Sequence, residues 1–131
     1  MEMDNIQETQ MEQAVGQELP DLKDELFPGG PTYEQIEAWK EQYGDVYMTE
    51  YDDNEVYIWR TLTRAEYKQV MAMTNLSPAA REEKICHIAV LYPSNFNELA
   101  QARGKAGVPT VLAEQIMEKS GFLPTEEARK L

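Results

Sequence analysis

Residues 44–73, GDVYMTEYDDNEVYIWRTLTRAEYKQVMAM, contain the pattern that decides the fold. Two runs rich in Val, Ile, Tyr and Trp, residues 46–51 and 55–60, flank the polar sequence Asp52-Asp53-Asn54. Strand-forming runs around a short polar loop predict a β-hairpin. Asn54 is a residue type that can take the left-handed position of a three-residue loop.

The loop length determines which side chains share a face of the hairpin, because successive side chains of a strand point to opposite faces. With a three-residue loop, one face carries Val46, Met48, Val56 and Ile58. The other face then carries Tyr47, Tyr51, Tyr57 and Trp59. A two-residue loop would mix these sets, and the sequence leaves both registers open. An apolar hairpin of this kind needs cover on both faces, since isolated hairpins are barely stable in water.

A helix is predicted directly after the hairpin. Thr63 as N-cap and Glu66 three residues later form a capping box. Leu62 is placed to pack on Tyr67 across the first turn. Val70 continues the buried stripe of this helix.

Four more helices follow from caps, breakers and apolar spacing. They are predicted at 33–43 behind Thr32 and before Gly44, from Ser77-Pro78 to Pro93, from 94 or 95 to about Gly104, and from Val108 to Gly121. At the end of the last helix, Phe122 is placed to fold back on the final turn. The predicted fold class is α+β, mostly helical, with one β-hairpin packed by about five helices.

Composition shifts divide the chain into three parts. Residues 1–31 are predicted to be an acidic, flexible arm and linker that ends in the turn sequence PGGP. Residues 32–123 form the helical domain with the hairpin. Residues 124–131 form a charged tail.

The N-terminal arm has two interpretations. Residues 1–31 contain eight acids and one base, so they hold more than half of the formal net charge of −12. Such a composition favours a disordered arm. Ile6, Met11, Val15 and Leu19 nevertheless recur at roughly helical spacing, which also allows a helix that forms only on a partner.

Charge and cysteine content indicate the broad class of protein. A net charge of −12 disfavours non-specific binding to nucleic acid or to an anionic membrane. One cysteine, Cys86, cannot form an internal disulfide, which fits a reducing cytosol. We see no signal peptide and no apolar run long enough for a membrane span. We therefore expect a soluble intracellular protein.

No motif in the sequence predicts catalysis, a cofactor or a metal. His87 is the only histidine, and Cys86 beside it would point about 100° away on a helix. The sequence 52–55 lacks the spacing of a calcium loop, and no phosphate-binding loop motif occurs. We expect no catalytic residue, cofactor or metal ligand, and therefore a protein that is not an enzyme.

The aromatic side chains Tyr47, Tyr51, Tyr57 and Trp59 are the strongest candidates for a functional surface. In one interpretation they cover the helices of their own domain. In the other they bind a protein partner, because Tyr and Trp anchor interfaces at low entropic cost. A nucleic-acid stacking surface would need more basic neighbours than Arg60 and Arg64 supply.

Three phrases of the sequence resemble small proteins encoded among the tail genes of tailed bacteriophages, especially tail or baseplate assembly chaperones. They are YEQIEAWKEQYGDVYMTEYDDNEVYIWRTLTRAEYKQVM at 33–71, ICHIAVLYP at 85–93 and AGVPTVLAEQIMEKSGF at 106–122. In that group, an xxRxLTRxEY phrase follows a hairpin, and the last helix ends in SGF. The acidic N-terminal arm belongs to the same pattern, and the resemblance spans residues 33–122.

The resemblance implies an assembly chaperone that binds a tape-measure or hub protein of the tail and holds it soluble until the tail polymerises. The contact surfaces would be the acidic arm, with Ile6, Met11, Val15 and Leu19, and the aromatic face of the hairpin. The protein would act in the host cytoplasm and could form an oligomer.

Two alternatives stay open. The chain could be a structural subunit retained in the virion at the tail, baseplate or connector. It could instead be an acidic regulator directed at a host protein, with its charge imitating nucleic acid.

Overall fold

The computed structural model describes residues 21–122 and 126–131. Its elements in chain order are α1 Tyr33–Tyr43, β1 Val46–Asp52, β2 Glu55–Arg60, α2 Arg64–Ala72, α3 Pro78–Ala89, β3 Val90–Tyr92, α4 Phe96–Ala102, α5 Val108–Met117 and a π-helical turn, Glu118–Phe122. The described residues thus contain five α-helices and one three-stranded antiparallel sheet. This confirms the predicted α+β class. The predicted helix positions Ile6, Met11, Val15 and Leu19 lie outside the described residues.

The hairpin has the register expected for a three-residue loop, although it reaches that register through a bulge. Tyr47 pairs with Trp59 and Met48 pairs with Ile58. Nearer the turn, Asp52 pairs with Glu55, and the register shifts between Glu50 and Asp52. The extra residue in β1 is therefore Tyr51, which lies in a bulge. Beyond this bulge, Val46 to Glu50 have the pairing that a three-residue loop would give.

The turn differs from its prediction in one detail. Asn54 does not take the left-handed conformation, and Asn75 is the one non-glycine residue with positive φ in the described part of the chain. Instead, the Asp52 carboxylate accepts a hydrogen bond from the backbone N–H of Asn54 at 2.9 Å. Asp commonly closes turns through its own side chain in this way.

The third strand corrects the predicted course of the chain before Pro93. The helix that starts behind Ser77 ends at Ala89, and Val90–Tyr92 pair with β2. Proline disfavours helical conformation in the residue before it, and Val and Tyr suit a strand. The outer edge of β2 offers these residues backbone hydrogen-bond partners.

The helix ends follow the predicted signals. Thr63 and Glu66 form the complete capping box, and the Ser77 hydroxyl accepts from the N–H of Ala80 at 3.1 Å. Gly44 ends α1 with φ +88°, a conformation that glycine adopts without strain. The Phe122 ring lies 4.6 Å from that of Tyr67 in α2.

The core lies between one face of the sheet and the helices α2 to α5. α3 and α5 pack closely on each other. The buried side chains that form the core cluster are Trp59, Leu62, Val70, Ile85, Cys86, Ala89, Phe96, Val108, Leu112, Ala113 and Ile116. Burial of such apolar side chains is the main favourable term in folding.

The chain divides into two units, Met1–Trp39 and Lys40–Leu131. Within the first unit, the predicted PGGP turn closes a small loop: the N–H of Gly30 donates to the carbonyl of Phe27 at 2.8 Å. An isolated bridge joins Glu25 to Thr32. The Thr32 hydroxyl accepts from the N–H of Gln35 at 3.1 Å, as its predicted capping role requires.

No helix in the described residues is long and apolar enough to cross a lipid bilayer.

Candidate partner-binding site

The aromatic face of the hairpin points toward the core. Trp59 is only 3% exposed and belongs to the core cluster, while Tyr47, Tyr51 and Tyr57 pack against that cluster and are partly buried. The ring of Tyr47 stacks on that of Trp59 at 4.8 Å, and Tyr57 meets the edge of Phe96 at 5.5 Å. Trp59 is therefore not an exposed anchor, which corrects its assignment to a docking surface. The three tyrosines keep partly accessible rings.

A relay of hydrogen bonds crosses this face at its polar positions. The indole N–H of Trp59 donates to the Thr49 hydroxyl at 2.7 Å, and that hydroxyl donates to the side-chain oxygen of Gln115 at 2.5 Å. A buried indole N–H is costly when it has no acceptor. The relay satisfies it and ties β1 to the last turns of α5.

The tip of the hairpin is held by one lysine from the segment between α4 and α5. The Lys105 ammonium lies 2.7 Å from a carboxylate oxygen of Asp52 and 3.5 Å from one of Glu55. It also lies 5.7 Å from the centre of the Tyr51 ring. The hydrogen bond from Lys105 lowers the pKa of Asp52, and the same bond raises the pKa of Lys105. Both groups are exposed, so solvent screens this pair.

Tyr57 makes a further polar contact on β2. Its hydroxyl donates to the Glu55 carboxylate at 2.9 Å. Burial raises the pKa of Tyr57 well above its ordinary value, and the hydrogen bond to Glu55 adds to the rise. Tyr57 therefore stays neutral at physiological pH.

The free edge of β1 borders a groove. The strand order is β1-β2-β3, so in the described residues one edge of β1 has no strand neighbour. The groove has a volume of about 400 Å³. It is lined by Tyr47, Met48, Thr49, Glu50, Trp59, Gln115, Glu118 and Lys119.

The groove carries both apolar and charged groups. Met48 is 46% exposed although it was predicted for an apolar face in need of cover, whereas its cross-strand partner Ile58 is 1% exposed. Glu50 and Glu118 are exposed acids on the groove wall. The Lys119 ammonium lies 5.7 Å from the centre of the Tyr47 ring.

Arg60 and Glu66, both in the phrase RTLTRAEY at residues 60–67, form an ion pair that gives this phrase a structural role. Its guanidinium makes two hydrogen bonds to the Glu66 carboxylate, at 2.6 and 2.8 Å, and one to the carbonyl of Ile88 at 3.1 Å. The Tyr43 ring lies 4.5 Å below the guanidinium. The bond from Arg60 lowers the pKa of Glu66 to about 2, with the backbone N–H of Thr63 contributing. One ion pair thus joins the end of β2, the start of α2 and the end of α3.

Cys86 and His87 take separate places on α3. Cys86 is fully buried, and its thiol lies 3.4 Å from the carbonyl of Pro109. Burial raises the pKa of the Cys86 thiol to about 12. A thiol of this kind is a poor nucleophile, because the thiolate is the reactive form. His87 is exposed, as a surface position on the helix predicts.

Residues 21–122 and 126–131 contain no group of three or more His, Cys, Asp and Glu side chains that could hold a metal ion.

No protein-family model, curated protein or solved structure matches this chain. The resemblance to phage tail assembly proteins therefore stays a prediction from the sequence phrases alone.

Sequence reasoning identified the hairpin but missed the groove at its edge. Gln115, Glu118 and Lys119 lie far along the chain from β1, and no local pattern links them to it. The one usable signal was the alternation in VYMTEYD, which puts the acid Glu50 on the same face as Met48, since charged side chains are common on edge strands.

Proposed function

We propose that this chain is a non-enzymatic protein of phage tail morphogenesis that acts like an assembly chaperone. It binds a tail or baseplate protein, of the tape-measure or hub type, in the host cytoplasm and keeps that protein soluble before assembly. The phrases shared with small tail-gene products support this proposal. The acidic composition supports it as well, since a net charge of −12 keeps a complex soluble.

The open edge of β1 is the observation on which the binding role rests. Exposed sheet edges attract extended segments, and natural proteins usually block them with charges, proline or covering elements. Here the edge carries an exposed Met48 beside the exposed acid Glu50, and it borders a groove. A surface that receives an unfolded or extended client has these properties. The acidic N-terminal arm remains the second proposed contact surface.

Co-expression tests the proposal directly. The large tail protein encoded in the same gene cluster is expressed in bacteria, alone and with this chain. We expect the soluble fraction of the tail protein to rise several-fold and the two proteins to co-purify. A tail protein that stays insoluble, and does not co-purify, would overturn the proposal.

Mass spectrometry of purified particles then separates a chaperone from a subunit of the virion. A chaperone leaves before the particle is complete, so its peptides should be absent. A stoichiometric amount in the particle would replace the chaperone proposal by a structural role at the tail, baseplate or connector.

A further inference from the structure

The exposed part of β1 is long enough to pair with another strand. β1 spans Val46–Asp52, and the bulge at Tyr51 interrupts its regular pairing only near the turn. Because β1 is paired on one side only, alternate residues of 46–50 direct their backbone N–H and C=O groups to the free edge. An added strand satisfies such groups through main-chain hydrogen bonds and does so for many sequences.

The groove shows where the side chains of an added strand would lie. Gln115 contacts Thr49 and Lys119 lies over Tyr47, so the end of α5 flanks the core side of β1. On the opposite face, Met48 and Glu50 stand two residues apart, since alternate residues of a strand share a face. An added strand would place one set of side chains against the end of α5 and the other beside Met48 and Glu50.

Charge decides between a foreign partner and a second copy of this chain. Glu50 and Glu118 are exposed on the groove and form no ion pair within the described residues, while Lys119 is the one cation in its lining. A second copy would bring the same two carboxylates together and add a further net charge of −12. Like charges opposite each other on paired strands are destabilising. A basic segment instead places opposite charges together.

We propose that the free edge of β1 takes an extended, basic segment of a partner protein as a fourth strand of the sheet. On the face of Met48 and Glu50, that segment carries an apolar and a basic side chain two residues apart. The inference deepens the proposed function and rests on it for the existence of a partner.

A synthetic peptide serves as the probe. It contains about nine residues, enough to span the strand, with Val and Lys alternating on one face and Thr and Lys alternating on the other. Its affinity for the full chain is measured by fluorescence polarisation at low salt, and its position by amide shifts in NMR spectra. We expect binding that weakens as salt rises, with shifts centred on residues 46–50.

Two control peptides separate strand addition from simple charge attraction. A peptide with every amide N-methylated keeps the side chains and charge but cannot donate hydrogen bonds to the edge. A peptide with Glu in place of Lys keeps the backbone but reverses the charge. Neither should bind, and equal binding of the N-methylated peptide would overturn strand addition.

Charge variants of the chain test the groove itself. We expect Lys119→Glu to tighten peptide binding several-fold, a gain that a damaged fold cannot produce. Glu50→Lys combined with Glu118→Lys should weaken binding roughly tenfold, since two attractive contacts become repulsive. Glu98→Lys makes the same kind of charge change on an exposed position of α4 outside the groove, and we expect no more than a twofold effect.

Several results would overturn the inference. The peptide could fail to bind, or Glu98→Lys and Glu50→Lys could change its affinity equally. The amide shifts could lie outside β1. The chain could also form a dimer that Met48→Lys dissociates. The last result would assign the edge to a second copy. If the peptide binds but the chain neither solubilises nor co-purifies with the tail protein, the proposed function is wrong and strand addition at β1 still holds. If the affinity for the tail protein is the same in the groove variants as in the unmodified chain, this inference is wrong and the proposed function still holds.

Discussion

Two side chains, Arg60 and Glu66, show how much of this structure depends on single polar contacts. The Arg60 side chain is 10% exposed and that of Glu66 is 24% exposed, with 2.6 Å between their closest atoms. Glu66 also accepts from the N–H of Thr63 at 2.9 Å to complete the capping box. A partly buried carboxylate with three such donors prefers its charged form, which explains its lowered pKa.

Glu66→Gln tests this contact through the pH dependence of stability. The pKa of Glu66 falls from the ordinary 4.5 to about 2 on folding. Its contribution to stability is therefore present above pH 4.5 and is lost as the pH falls toward 2. We expect the variant to be about 2 kcal/mol less stable at pH 7. The difference in unfolding free energy from the unmodified chain, measured with urea, should shrink between pH 4.5 and 3.

Glu98→Gln is the matched control, because it neutralises an exposed carboxylate that forms no ion pair with any residue the structure describes. It should change stability little at any pH. A Glu66→Gln difference that is the same at pH 7 and pH 3 would contradict a role for the charged pair.

Trp59→Ala separates a core position from a docking position. Removal of a buried tryptophan leaves a cavity and should cost about 3–5 kcal/mol of stability, as measured by urea unfolding. The partly exposed Tyr47 should cost less when changed to Ala. An unchanged unfolding free energy for Trp59→Ala would show that its ring does not support the core.

At the scale of elements, the hairpin shows which features a sequence can predict. The capping box at Thr63, the end of α1 at Gly44 and the positions of α4 and α5 rest on contacts within a few residues, and all were predictable. The third strand was not, because Val90–Tyr92 acquire their conformation from pairing with β2. The bulge at Tyr51 and the groove wall at Gln115 likewise depend on contacts between distant residues.

The contact of Lys105 with Asp52 and Glu55 at the hairpin tip gives a prediction for the hairpin. Lys105→Ala removes the hydrogen bond that lowers the pKa of Asp52, so that pKa should rise toward the ordinary 3.8. The side-chain carboxyl signal of Asp52, followed by NMR titration, measures the change. Amides of residues 52–55 should also exchange faster with solvent. Because the pair is exposed and solvent screens it, we expect little change in global stability.

Lys84→Ala removes an exposed lysine from α3 and serves as the control. If both variants change the pKa of Asp52 equally, the cause is the general loss of positive charge and not the direct contact with Lys105.

At the scale of the whole molecule, the hairpin combines a buried aromatic face with an exposed strand edge. The aromatic side chains of the hairpin pack in or against the core, whereas Met48 is exposed and one edge of β1 has no strand neighbour in the described residues. In the part of the chain that the structure describes, this edge stays open despite the risk of aggregation that open edges carry. A net charge of −12 offsets that risk by keeping copies of the chain apart.

Salt should therefore affect this protein in two opposite ways. Screening weakens the repulsion between copies, so light scattering should show more self-association at high ionic strength. Screening also weakens the attraction of a basic partner, so affinity for the proposed tail-protein partner should fall over the same range. Affinity that does not change with salt would contradict a charge-based contact.

Hydrogen–deuterium exchange of the full chain, alone and with the proposed tail-protein partner, tests the central claim most directly. We expect exchange at residues 46–50 to slow in the complex, because the free backbone groups of β1 gain partners, while α3 in the core stays unchanged. Unchanged exchange at β1 in a stable complex would show that the partner binds elsewhere.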